Sequence, residues 1–364
     1  MRIIYDNQIF HLQRYGGVSR YFIELASAFS KMKTEVEIRI AAPLHFNFYL
    51  NNSNSLRKGN FYIPKSSDMF RFNQRIRQIS TGIANKRIDR FYPQVIHETF
   101  YSEINIWNST APRVLTIYDL IRESEGINSL QAKRKQGALN RASQIICISE
   151  ETRQQLKMHY EVDDHRLHVV HLGVSSKFFV EKAVRNKRKE ILFVGQRSGY
   201  KEFMTLVKAF SISKSKLEKF KLVAFGGGDF TLSEKEEMKK LGISPNSIEQ
   251  IGGNDEALIE RYSSASIFVA SSRLEGFGLP IVESMAAQTP VICSDIAVFR
   301  EIAGDCARYF SPGNYHELSQ ILDQVLLENL NNESQTTSGL KRAKEFSWDI
   351  CASRTLEVYK TAQN

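Results

Sequence analysis

The sequence predicts an α/β protein with two parallel sheets, each in its own domain. Three observations carry this. Short apolar or β-branched runs alternate with helix-length segments, the pattern of βαβ units. Eleven such runs exceed what one ordinary doubly wound sheet holds. And 364 residues suit two domains at roughly 100–200 residues each.

Taken in order, the runs of the first half are RIIYD, VEIRIAA, PQVIHE, RVLTIYD, QIICIS and HVVHLG. The second half repeats the rhythm with EILFVG, FKLVAFGG, SIEQIGG, ASIFVASS and TPVICSD. Between the halves lies SSKFFVEKAVRNKRKE, residues 175–190, a charge-dense connector. The expected division is therefore a first domain over 1–175 and a second over 185–347. The tail, 348–364, reads as an amphipathic helix with Trp348, Ile350, Cys351, Leu356 and Tyr359 as packing residues.

Composition excludes several classes. Apolar residues make up 42% and charged residues 24%, ordinary for a folded globular chain. Only Ile3 to Tyr5 precede Asp6, too short for the apolar core of a signal peptide. No stretch approaches 18 apolar residues, so no spanning helix is expected. Four widely spaced cysteines without C-x-x-C suggest buried thiols in a reducing compartment. A cytoplasmic protein is the expectation.

The net charge of +9 is uneven. Residues 1–180 hold 25 Lys and Arg against 16 Asp and Glu, whereas residues 181–364 hold 24 of each. A basic first half invites an anionic partner. Seven of its cations lie between Lys65 and Arg90, where Met69, Phe72, Ile76, Ile79 and Ile83 recur at helical spacing. Such a helix either packs on the first sheet or rests on an anionic membrane surface, here the inner face. No nucleic-acid motif accompanies the charge, and no nucleic-acid partner is expected.

Open α/β sheets bind ligands beyond the carboxyl ends of their strands, so the strand-to-helix loops matter most. Gly16 and Gly17 precede a helical segment and form either a tight turn or a phosphate-approaching loop. The segment Ser272–Glu283 follows ASIFVAS and opens the helix PIVESMAAQ, with Pro280 suited to a first turn. There Gly276, Phe277, Gly278 and Leu279 shape an anion pocket at the helix start. Glu283, one turn inside, would repel a phosphate but accept hydrogen bonds from a diol such as ribose. Glu275 stands on the loop where an attached sugar would lie. A third loop carries Arg197 and Lys201 around Gly199, either two cations converging on one diphosphate or two exposed cations at a helix start. At the end of the run PQVIHE, His97 and Glu98 either contact an acceptor or serve capping and packing.

These motifs resemble the retaining GT-B glycosyltransferases of family 4. The spacing Glu275-x7-Glu283 is similar to that family's signature, Arg197 and Lys201 to its pyrophosphate clamp, and Gly16-Gly17 to its N-terminal glycine loop. The resemblance implies two facing Rossmann-like domains, with acceptor on the first and nucleotide-sugar on the second. A C-terminal helix would cross back to the first. It further implies that Glu275 holds the donor sugar, Glu283 the ribose hydroxyls, and residues near Ile251 the base. The donor is then a nucleotide diphosphate sugar, GDP-mannose or a UDP-hexose, and no separate cofactor is needed. The acceptor is a glycan, lipid-linked in one form, in surface polysaccharide or lipopolysaccharide assembly. A GT-B sugar-nucleotide epimerase or a silent nucleotide-sugar-binding subunit would share the donor site.

Two positions depart from the family. Tyr118-Asp119 stands where His-Asp is frequent and that histidine usually contacts the donor sugar; Tyr118 either donates one hydrogen bond in its place or packs at the strand end. Gln288 stands where glycine is usual. No metal is expected: the chain lacks Asp-x-Asp, and His165, His168 and His171 would not share one face of a strand.

Overall fold

Apolar runs without polar alternation form strands covered on both faces. The computed structural model describes residues 1–63, 70–126, 130–180, 187–327 and 332–363. The chain separates into two compact units, Met1–Gly173 with Trp348–Asn364, and Val174–Ser347.

In the first unit the strands are β1 (Arg2–Tyr5), β2 (Glu37–Ile40), β3 (Leu44–His45), β4 (Phe61–Tyr62), β5 (Val95–Glu98), β6 (Arg113–Ile117), β7 (Gln144–Cys147) and β8 (Leu167–Val169). Six form one sheet in the order β2-β1-β5-β6-β7-β8, and every pairing in it is parallel. The short β3 and β4 pair separately. In the second unit β9 (Arg188–Val194), β10 (Lys221–Phe225), β11 (Ile248–Ile251), β12 (Ala265–Ala270), β13 (Val291–Ser294) and β14 (Arg308–Phe310) form a parallel sheet in the order β11-β10-β9-β12-β13-β14. Both units are α/β, and each sheet grows outward from its first strand in both directions. The loops after β1 and β5, and after β9 and β12, therefore sit side by side at the switch points.

All eleven sequence runs contain a strand. Three strands had no run: β3 and β4 have two residues each, and β14 has three beginning on Arg308. These are too short to show a period. The run HVVHLG is corrected in register, because β8 starts at Leu167 and stops at Val169. His165 lies in the preceding 3₁₀ turn, and the His168 ring bonds Gln144 Oε1 at 2.7 Å.

The helix Trp348–Gln363 belongs to the first unit and buries Cys351, Thr355, Leu356 and Tyr359 along one stripe. Ile350, expected to pack, is 40% exposed because it lies off that stripe. Tyr359 Oη meets His97 Nδ1 at 2.7 Å, and His97 Nε2 meets Thr116 Oγ1 at 2.8 Å. His97 is thus a core residue, fully buried, and burial drives it down to about 3. Glu98 is equally internal, with Arg141 at 3.0 Å and Arg113 at 3.6 Å.

The basic segment forms the helix Phe70–Phe91; Lys65, Asp68 and Met69 lie outside the described residues, as do the side chains of Arg71 and Phe72. Its buried stripe is Ile76, Ser80, Ala84, Ile88 and Phe91, at steps of three and four. Ile79 and Ile83 are not on it, contrary to the expected stripe: they are 57% and 38% exposed. At 100° per residue they share the outer face with Arg75, Lys86 and Arg90.

Candidate active site

The switch point of the second sheet brings the two loops richest in chemistry together. Lys201 closes the 3₁₀ turn Gly199–Lys201 after β9, and Glu275 stands on the loop after β12. Lys201 Nζ lies 2.5 Å from Glu275 Oε1, which also accepts from Ser272 Oγ at 2.7 Å. Burial works against the lysine's charge, but the Glu275 carboxylate outweighs it and holds Lys201 above the ordinary lysine value. Ser271 Oγ donates to the carbonyls of Lys201 and Glu202, both at 3.0 Å, and the Arg273 amide to Tyr200 O at 2.7 Å. The two loops are laced into one structure. A cavity of about 10 Å³, lined by Lys201, Ser272, Glu275, Gly278 and Pro280 among others, sits beneath them.

Arg197 is placed differently. Its Nε and Nη2 bond the Glu234 carboxylate at 2.8 and 3.3 Å, and Nη1 bonds Gly226 O and Gly228 O at 3.0 and 2.8 Å. Nη2 also bonds Asp229 O at 2.8 Å, so all five N–H groups have partners. The guanidinium further sits over Phe230, 4.7 Å from the ring centre. Gly226, Gly227 and Gly228 all have positive φ (88°, 74°, 71°), which lets the Gly226 and Gly228 carbonyls turn toward it. Glu234 is in turn fixed by a capping box with Thr231 at the start of Leu232–Lys240.

The helix Leu279–Ala286 begins at Gly278, whose φ is 96° and whose added Cβ would meet Phe299 at 2.9 Å. Glycine is required there on both counts. Pro280 is the second helical residue, and Phe277 is buried against Phe346, 5.7 Å between ring centres. Glu283 is only 5% exposed and accepts from Tyr262 Oη at 3.2 Å. Ile251 ends β11, and its carbonyl accepts from the Gly226 amide at 2.8 Å. Gln288 follows the helix with φ 56°, left-handed backbone that glycine adopts freely.

In the first unit Gly16 and Gly17 lead into the helix Gly17–Lys31. The Gln13 side chain accepts from the Ser19 amide at 3.0 Å, and an added Cβ on Gly16 would strike that side chain at 2.3 Å. Beside this loop, Asp6 Oδ1 accepts from the Thr99 amide at 3.1 Å, tying the ends of β1 and β5. Tyr118, after β6, is buried with its ring 5.7 Å from Tyr21. Its hydroxyl lies toward Thr116, whose own hydroxyl also meets His97 Nε2 at 2.8 Å. Asp119 accepts from the Ile121 amide at 3.4 Å, and its carbonyl from Lys135 Nζ at 3.0 Å.

Several holding residues escaped the sequence reading. Ser272 and Tyr262 carry no local signal. Thr231 and Glu234 do, because T-x-x-E before a helical segment is a capping signature.

Two parallel-sheet units with ligand-facing loops at their switch points define the GT-B class of glycosyltransferase folds. The protein of Anabaena described as Alr3699/HepE in complex with UDP-glucose shares this fold, with TM-score 0.74, 13% identity, and 99% of each chain covered. Residues 174–342 match the family described as glycosyl transferases group 1, and residues 15–178 match glycosyltransferase family 4. Together the matches span nearly the whole chain, which belongs to the group 1 glycosyltransferases. Among its relatives, the O-antigen chain mannosyltransferase B of Escherichia coli is 39% identical over 106 residues, 29% of this chain and 28% of that protein. The MMP alpha-(1->4)-mannosyltransferase of Mycolicibacterium hassiacum is 29% identical over 230 residues, 60% and 54% of the two chains. Both matches span less than two thirds of the relative's own length.

Proposed function

We propose that this protein transfers a hexose, mannose foremost, from a nucleotide diphosphate sugar to a hydroxyl of a growing glycan in surface polysaccharide assembly, with retention of anomeric configuration. One observation carries the reading: Lys201, Glu275 and Ser272 converge at the switch point, on loops bearing the Glu275-x7-Glu283 spacing. The names of the relatives, mannosyltransferases of O-antigen and MMP, support the sugar and acceptor class.

In this reading Lys201 and the loop around Gly276 to Leu279 meet the charge of the departing diphosphate. Glu275, held by Lys201 and Ser272, orients the donor sugar. Glu283 takes the ribose hydroxyls, and the end of β11 at Ile251 lines the base. Arg197 acts on the diphosphate by fixing the Gly226–Gly228 loop, or by exchanging Glu234 for phosphate when donor binds. Within the first unit, Tyr118, Asp119 and the Gly16-Gly17 loop are the residues that would serve a ligand. As the acceptor oxygen bonds the anomeric carbon, the carbon–oxygen bond to the diphosphate breaks. The acceptor proton passes to the leaving phosphate, which balances the step without a protein nucleophile. The outer face of Phe70–Phe91, with Ile79 and Ile83 among cations, rests on an anionic membrane surface that carries a lipid-linked acceptor.

Incubation with GDP-mannose and a series of UDP-hexoses, with and without an oligomannose acceptor, tests the reading. Acceptor-dependent nucleotide release supports transfer. An isomerised sugar without acceptor would mean an epimerase, and binding without turnover a silent subunit.

A further inference from the structure

The first unit holds a second candidate ligand site, on the sheet edge, whose lining shares only Arg90 with the outer helix face described above. A cavity of about 620 Å³ lies over β2, within the range of small-molecule sites. β2 is the edge strand, paired only with β1 among the described residues. The cavity wall is apolar where Ile4, Ile38, Ile40, Leu56 and Phe91 line it. The rest of the lining is Ala41, Ser55 and Gly59 with four cations, Arg39, Lys58, Arg87 and Arg90, against a single carboxylate, Glu37.

The wall is built and held. Asn60, 4% exposed, donates to Ile40 O at 3.1 Å and Leu56 O at 3.2 Å and accepts from the Ala42 amide at 3.1 Å. It clips the segment Ser55–Gly59 to the end of the edge strand. Arg87 Nη1 donates to Gly59 O at 2.6 Å and so ties the same segment to the helix Phe70–Phe91. Strand, loop and helix thus enclose the cavity through named bonds. Arg39 is partly neutralised by Glu37 at 2.6 Å and packs over Phe91, 4.4 Å from its ring centre. Lys58 and Arg90 have no ion-pair or hydrogen-bond partner among the described residues. Two unneutralised cations beside an apolar wall match a molecule with one anionic end and one hydrocarbon end. A sugar nucleotide, polar along its length, would leave the isoleucines unused.

We propose that this edge cavity binds a lipid phosphate, its phosphate between Lys58 and Arg90 and its first methylenes against Ile38, Leu56 and Phe91. The site does not depend on the sugar-transfer reading: it is read by binding alone, and loss of turnover leaves it standing.

Calorimetric titration of the full chain with decyl phosphate below its micellar concentration tests this. One saturable site is expected, with about tenfold weaker binding in the Lys58→Ser/Arg90→Ser double variant, the equivalent of one modest charge contact. Glu37→Gln should tighten binding by a few-fold, since it removes the one opposing charge. Lys239→Ser/Lys240→Ser, two exposed cations of the second unit, should leave the affinity unchanged. Short-chain phosphatidylglycerol in place of decyl phosphate separates the sources: a preference for the monoester indicates a carrier-lipid phosphate, and equal binding a membrane phospholipid. Equal affinity for uncharged decyl maltoside would overturn the proposal. So would an unchanged affinity in the Lys58/Arg90 variant, or an equal loss in the Lys239/Lys240 variant.

Discussion

Lys201 Nζ and Glu275 Oε1 form an ion pair 2.5 Å long between the loops that follow β9 and β12. Sequence spacing assigns these two residues to different parts of a donor, the diphosphate and the sugar. The structure makes each the other's support. Lys201→Ala should therefore lower kcat by about a hundredfold or more, a loss typical of removing a charge-stabilising donor. Because Lys201 is held above its ordinary value, its charge persists past pH 10, and the wild-type rate should show no lysine limb below that. A pH–rate profile with such a limb would count against the pair.

Arg197 offers a contrast. Its five N–H groups all have partners within the second unit, and Glu234 is among them. Arg197→Ala would strand that carboxylate and should cost about 3 kcal/mol of stability. Arg197→Lys should rescue little, since an ammonium cannot reproduce the fork. Burial alone would raise Glu234, but the Arg197 bonds outweigh it and hold the carboxyl below its ordinary 4.5. The stabilisation is thus present above about pH 4.5 and lost as pH falls through the lower folded value. Chemical denaturation between pH 3 and pH 6 checks this: the wild type should lose the increment on acidification, and Glu234→Gln should lack it throughout.

Tyr118 holds a buried hydroxyl whose interaction is with Thr116, a group already shared by Tyr21 and His97. Tyr118→Phe should change stability by no more than about 1 kcal/mol, because the Thr116 contact it removes is shared with Tyr21 and His97. If the hydroxyl contacts the donor sugar, the same change should lower kcat. Thermal melts and turnover on one preparation measure both effects.

The first unit should be acid-sensitive. Burial drives His11 to about 3, helped by Arg77, His45 to about 4, and His97 to about 3. All three stay neutral in the fold, whereas an unfolded histidine protonates near 6.5. The unfolded state thus binds protons first. Stability is whole above pH 6.5 and falls toward pH 4 by roughly 1.4 kcal/mol per pH unit for each histidine. Denaturant midpoints from pH 7 to pH 4 test the slope, and His97→Gln should make it shallower by one proton.

Much of this was visible in the sequence, for physical reasons. Strands of buried parallel sheets are continuous apolar runs, so QIICIS and EILFVG announce themselves, while the three-residue β14 does not. Glycines with obligatory geometry, such as Gly278, stand out beside Pro280 at a helix start. What spacing could not supply was the partner of each charge. Glu234 lies 37 residues from Arg197 and Tyr262 lies 21 from Glu283, and only the folded sheet joins them. The helix stripe failed on a finer point: Ile79 and Ile83 fit a helical period, but the buried period runs through Ser80 and Ala84. Small side chains there let the helix approach the sheet closely, and no hydropathy pattern marks them.

The donor assignment has its own check in Glu283, whose carboxylate is buried against Tyr262. Glu283→Ala should weaken binding of the nucleoside diphosphate by about tenfold while changing kcat less, because a lost ribose contact removes binding shared by ground and transition states. Equilibrium titration with GDP and UDP reads the first effect directly.

The most direct test of the central claim is proton NMR of the product formed from GDP-mannose and an oligomannose acceptor. The account predicts a new α-mannosidic linkage, matching the donor's own anomeric configuration, together with stoichiometric GDP. A β-linked product, or GDP released with free mannose and no linkage, would contradict it.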